Sequence, residues 1–160
     1  MNISYAGSGL LMAAMMLAGC ATMKSRTSGE AASATTVLSD DATAVQGFWK
    51  PAKAELAGRP MPDALLASIS LKLEEGKYEV FVGEEPDRGT YSLDAAGEPK
   101  GMTITGTSGP NSGKTFPAIY ELHGDTLHIC YDLSGAKRPS EFKSVAGTKL
   151  YLVTYKRANE

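Results

Sequence analysis

From residue 69 onward, apolar and polar positions alternate in short runs that are separated by glycine, proline and charged turns. Ile69, Leu71 and Leu73 alternate with Ser70, Lys72 and Glu74. After a Glu75-Gly76 turn, Tyr78, Val80 and Val82 alternate with Lys77, Glu79 and Phe81. A period of two places each set on one face of an extended chain, so these runs predict half-buried strands. Gly83 to Arg88 reads as a charged loop. Tyr91 and Leu93 then share a face of the next strand, and Met102 and Ile104 a face of the one after. The longest such unit is Phe116 to Tyr131, FPAIYELHGDTLHICY, with the scale of a β-hairpin turned at His123-Gly124-Asp125. Ala118, Tyr120 and Leu122 fall on one face of its first arm. Leu127, Ile129 and Tyr131 fall on one face of its second, with Thr126, His128 and Cys130 opposite. In the last strand Leu150, Leu152 and Thr154 alternate with Tyr151, Val153 and Tyr155.

Upstream, Pro51 follows Gly47-Phe48-Trp49-Lys50, which predicts a first strand that is short, bulged or at an edge. Gly58 to Pro62 reads as a turn, and Asp63 as the cap of a brief helix over 64–67. The expectation is an all-β domain of about eight strands with one short helix. A sheet of that size has two free edges unless it closes, which favours a small antiparallel barrel over a sandwich. The 17 glycines and 8 prolines, spread through the chain, supply the turns such a fold needs.

Residues 10–19, LLMAAMMLAG, are apolar and uncharged, but far short of the roughly twenty residues that span a bilayer. They end in Leu17-Ala18-Gly19-Cys20, which resembles a bacterial lipoprotein signal peptide, although residues 1–9 lack the Lys or Arg of a usual export signal. The resemblance implies removal of residues 1–19 and acylation of Cys20 with diacylglyceryl and palmitate-type chains, which together anchor firmly. Ala21 after the cysteine, by the same resemblance, implies the periplasmic face of the outer membrane. Residues 20–44, rich in Ala, Ser and Thr and without an aromatic residue, read as a tether, and residues 45–157 as the folded domain.

The folded part resembles a largely uncharacterised bacterial lipocalin-like domain family that is common in planctomycetes. The residues that carry the likeness are Gly47–Lys50, Gly89–Tyr91, Ile119–Tyr131, Arg138–Phe142 and Lys156-Arg157. The resemblance implies a lipocalin-like barrel in which Trp49 lies at the floor and Arg157, from the last strand, packs over it as a cation on an aromatic face. It implies no catalytic residue. Lys50-Pro51 departs from the family pattern and points to a shorter opening strand.

Charge and candidate chemistry narrow the function. Sixteen basic and eighteen acidic residues give −2, which leaves no field to draw the chain to nucleic acid. Gly109 to Thr115 resembles a phosphate-binding loop, but its glycines are one residue too close and a strand follows where a helix is required. His128 and Cys130 share one strand face. Zinc would also need Glu121 or Asp132, and a nucleophile would need its base within hydrogen-bond reach. No catalytic, metal or cofactor site is expected, and Cys130 has no partner once Cys20 is acylated. The remaining candidate is the barrel interior. Tyr78, Tyr91, Tyr120, Leu122, Leu127, Ile129, Leu150 and Leu152 would either line a pocket for a small apolar or amphipathic ligand or fill a solid core. In the second case the surface would serve a protein partner, as an inhibitor or assembly accessory. A cavity of about 300 Å³ or more separates the two.

Overall fold

The computed structural model describes residues 40–82 and 85–159. Cys20, the leader 1–19 and the tether up to residue 39 lie outside the described residues. The elements run β1 Gly47–Leu56, β2 Arg59–Pro60, α1 Asp63–Ala67, β3 Ile69–Glu74, β4 Lys77–Val82, β5 Glu85–Asp94, β6 Gly101–Ser108, β7 Thr115–His123, β8 Thr126–Asp132 and β9 Leu150–Ala158. From β3 onward each strand pairs antiparallel with the next. The ring closes because β1 pairs with both β3 and β9, while β2 is a two-residue hairpin arm on β1. The result is an eight-stranded closed antiparallel barrel with the short helix α1 between β2 and β3. Closure leaves neither barrel edge unpaired.

Local conformation accounts for the tight turns. Glu75 and Gly76, at φ 47° and 75°, join β3 to β4, and Ala57 and Gly58, at φ 51° and 74°, fold β2 onto β1. Two successive positive φ angles give the turn whose twist matches that of the flanking strands. The expected turn at 58–62 is thus a small hairpin. α1 differs from expectation at its start: Pro62 is the N-cap, Asp63 is the first helical residue, and no side chain caps the end.

β1 is ten residues long rather than short. It pairs with β3 only through Gly47–Trp49, but with β9 from Phe48 to Leu56, with a bulge between Pro51 and Lys53. Pro51 lies beyond the last β1–β3 pair, so its missing N–H breaks no ladder on that side. The described residues begin at 40, ahead of β1. Residues 40–44 are helical, and Asp41 accepts hydrogen bonds from Lys100 Nζ and Tyr120 Oη, both at 2.7 Å.

β9 faces the opposite way from the expected one. Tyr151, Val153 and Tyr155 point inward, opposite Tyr131, Ile129 and Leu127 of β8. Leu150 and Leu152 are therefore on the outside, and Leu152 stands opposite Cys130, which stands opposite Ile119. Ile119 and Cys130 are fully buried all the same. The connection 133–149 meets that outer face at Cys130, whose Sγ donates to Lys143 O at 3.6 Å.

Candidate functional site

The interior has two halves. One is solid: Trp49, Leu73, Met102, Tyr120, Leu127, Ile129 and Val153 are each no more than 1% exposed. Trp49 Nε1 donates to Val45 O at 2.9 Å, and Arg157 Cζ lies 4.2 Å from the indole centroid. The guanidinium also donates to Gln46 O, Ala44 O and Asp125 Oδ1 at 2.7, 2.8 and 3.0 Å. Segment 40–46 is fastened to this end by those bonds and by Asp41. Burial works to raise the Asp41 carboxyl, but hydrogen bonds from Lys100 and Tyr120 and the Lys100 charge outweigh it and hold it below 3.8.

The other half is a cavity of about 310 Å³. Its walls include Leu71, Val80, Ile104 and Phe116, and it is rimmed by Leu56, Leu65 and Val82, which are 39%, 41% and 50% exposed. Further depressions of about 300–460 Å³ mix apolar side chains with charged ones, such as Glu74 and Arg88, Lys137 and Arg138, or Lys100 and Glu121.

Two polar clusters interrupt the apolar lining. In the first, Asp87 Oδ2 accepts from Tyr78 Oη at 3.1 Å and from Asn111 Nδ2 at 2.9 Å, while Oδ1 accepts from Asn111 N at 3.0 Å. The charged composition of 83–88 reads as a loop, but β5 already begins at Glu85, which puts Asp87 in a strand opposite Val80. Gly89 stands opposite Tyr78, where a Cβ would collide with Thr105 O and the Tyr78 ring. The absent side chain lets that ring lie across β5 and reach Asp87. The loop before β7 folds back through a Gly106–Ser112 bridge, which carries Asn111 over the same carboxylate.

The second cluster is tyrosines. Tyr131 and Tyr151 stack with centroids 5.8 Å apart and planes at 19°, and the Tyr155 side chain hydrogen-bonds to both. Burial pushes the Tyr151 hydroxyl up to about 12 and the Tyr131 and Tyr155 hydroxyls further. Burial first, then the Asp87 charge, raises Tyr78 as well. All four hydroxyls therefore remain protonated donors at neutral pH.

Of the residues expected to line a pocket, Tyr78 does so. Tyr91, Tyr120, Leu127 and Ile129 belong to the packed core, Leu122 is half-buried against it, and Leu150 and Leu152 face outward. Asp87, Asn111, Tyr131, Tyr151 and Tyr155 take their place. Asp87 was legible in principle: it has the same parity as Tyr91 and Leu93, and the inward face of β5 extends back to it through Gly89.

The remaining candidates have structural surroundings. Cys130 is a free, fully buried thiol, raised chiefly by burial and secondarily by the Asp132 charge. His123 contacts Glu121 at 3.2 Å at the exposed end of β7, and no cluster of three metal-ligating side chains occurs among the described residues.

The class that this geometry defines is a closed eight-stranded barrel, solid at one end and hollow and apolar toward the other. No protein-family model matches the chain, and no curated protein does. Among solved structures, a DUF4847 family protein from Bacteroides vulgatus is similar at 12% identity and a TM-score of 0.45, over 76% of this chain and 99% of its own. A likeness at that level carries no argument about function.

Proposed function

We propose that this protein is a lipocalin-like binding lipoprotein of the bacterial cell envelope. It is acylated at Cys20, held at the periplasmic face of the outer membrane, and takes a small apolar or amphipathic ligand into the hollow half of its barrel. It acts by binding rather than by catalysis. The observation that carries the reading is the cavity of about 310 Å³, whose apolar walls converge on a few fixed polar groups. Small-molecule sites have this composition, and about 300 Å³ is the lower end of their size range. The Arg157–Trp49 contact supports the lipocalin-like part, since the sequence resemblance implies that pair.

What favours a ligand over a protein partner is this hollow half, since a protein-binding module calls for a solid interior. The exposed Leu56, Leu65 and Val82 are accounted for as the cavity rim. Native mass spectrometry of the protein from its own host tests the proposal. A small molecule released on mild activation is the expected result. An empty protein that also fails to bind an apolar fluorescent probe overturns it.

A further inference from the structure

The lining chemistry bears on which ligand the cavity accepts, an inference that rests on the binding function proposed above. Among the described residues that line the cavity, Asp87 is the only charged one, and there is no Lys, Arg or His. Asp87 is 9% exposed, so its charge is weakly screened. Its three hydrogen bonds come from uncharged donors: the Tyr78 hydroxyl, the Asn111 side-chain amide and the Asn111 backbone N–H. Oδ1 accepts only one of these, which leaves a lone pair for a further donor. Such a carboxylate is held in place without being neutralised. A buried charge gains most from an opposite charge that brings its own N–H donors.

The rest of the cavity favours the same sign. Phe116, Tyr131, Tyr151 and Tyr155 present aromatic rings to it, and aromatic faces attract cations. An anionic head group would meet Asp87 in a low-dielectric space with no basic side chain in the wall. We propose that the cavity selects an amphiphile with a primary ammonium head: the ammonium donates to Asp87 and the aliphatic tail lies along Leu71, Val80 and Ile104. Fatty acids, which an apolar barrel would otherwise accept, are rejected by charge.

The test uses the full chain produced with Cys20→Ala, so that it carries no acyl group, and titrates it calorimetrically with octylamine, 1-octanol and octanoate near neutral pH. The tails are equal and only the head group changes. Octylamine is expected to bind about tenfold or more tighter than octanol, and octanoate weakest. D87N should remove the amine's advantage while leaving octanol within about twofold of its wild-type affinity. Equal affinities, tightest binding of octanoate, or an amine preference that survives in D87N overturns the charge selection and leaves the binding function standing. Failure of all three ligands to bind overturns the binding function itself, and the charge selection with it. Should D87N not fold, the wild-type ranking alone decides.

Discussion

Trp49 and Arg157 are register partners across the seam where β1 meets β9, and the guanidinium carbon lies 4.2 Å from the indole centroid. One pair thus joins the first and last barrel strands and covers the solid end. The same arginine holds segment 40–46 through Gln46 O and Ala44 O, so the contact couples closure of the barrel to docking of the chain that enters it.

W49A should cost about 3–5 kcal/mol, a large share of the 5–15 typical of a small domain, because a fully buried indole leaves a cavity that the core cannot refill. R157A should cost less. The stacked cation contributes about 0.5–2 kcal/mol, and the Arg157 side chain is 33% exposed. R157K retains the charge but not the planar fork that reaches two carbonyls, and should fall between R157A and wild type. Urea midpoints with constant slopes give the order. A W49A midpoint equal to wild type would refute the role assigned to this pair.

Asp41 should make stability depend on acid. Its folded carboxyl titrates below 3.8, so the stabilisation is fully present above that value and is lost as pH falls through the lower folded one. D41N should be destabilised by about 1.5–3 kcal/mol near pH 7, the usual worth of a hydrogen bond to a charged group. The gap from wild type should narrow as the pH falls below 3.8. A gap that is constant across that range would show that the Lys100 and Tyr120 contacts do not favour the ionised form.

Cys130 should resist alkylation in the native state and react only on unfolding. Burial raises its pKa, and the segment that carries Lys143 covers it. C130S should lose only modest stability, about 1 kcal/mol, and no ligand binding. Rapid native labelling by iodoacetamide would show that segment 133–149 opens readily.

Filling the cavity separates its lining from the core. V80F or I104F should abolish binding of an apolar probe while leaving the melting temperature unchanged or raised, because the added ring occupies existing space. Unchanged probe binding in both variants would place the site elsewhere.

C20A should release the protein from membranes or block its processing. Acyl chains supply most of the attachment expected of it, and among the described residues no helix is long and apolar enough to cross a bilayer. A C20A protein that still fractionates with membranes at the wild-type mass would rule out the lipid anchor.

Most of the strands were legible along the chain, though not β2 or the start of β5. Alternation with period two at Ile69–Glu74, Lys77–Val82 and Phe116–Tyr131, with turn residues between, is local information, and local sterics act on it directly. The number of strands also favoured closure over a sandwich, because open edges are costly. Whatever depended on choosing between two apolar faces was left to the tertiary structure. In β9 both parities are apolar, and only the register with Tyr131, Ile129 and Leu127 sends Tyr151, Val153 and Tyr155 inward. Cys130 is buried on the outer face, where it meets Lys143 of the connection 133–149, a contact that strand periodicity does not encode. The Asp87 site required three separate segments to meet: Tyr78 from β4, Asp87 from β5 and Asn111 from the loop before β7. Alternation records which face a side chain takes along its own strand. Which strands and loops share that face is decided by closure, because the ring alone brings residues distant in sequence around one interior.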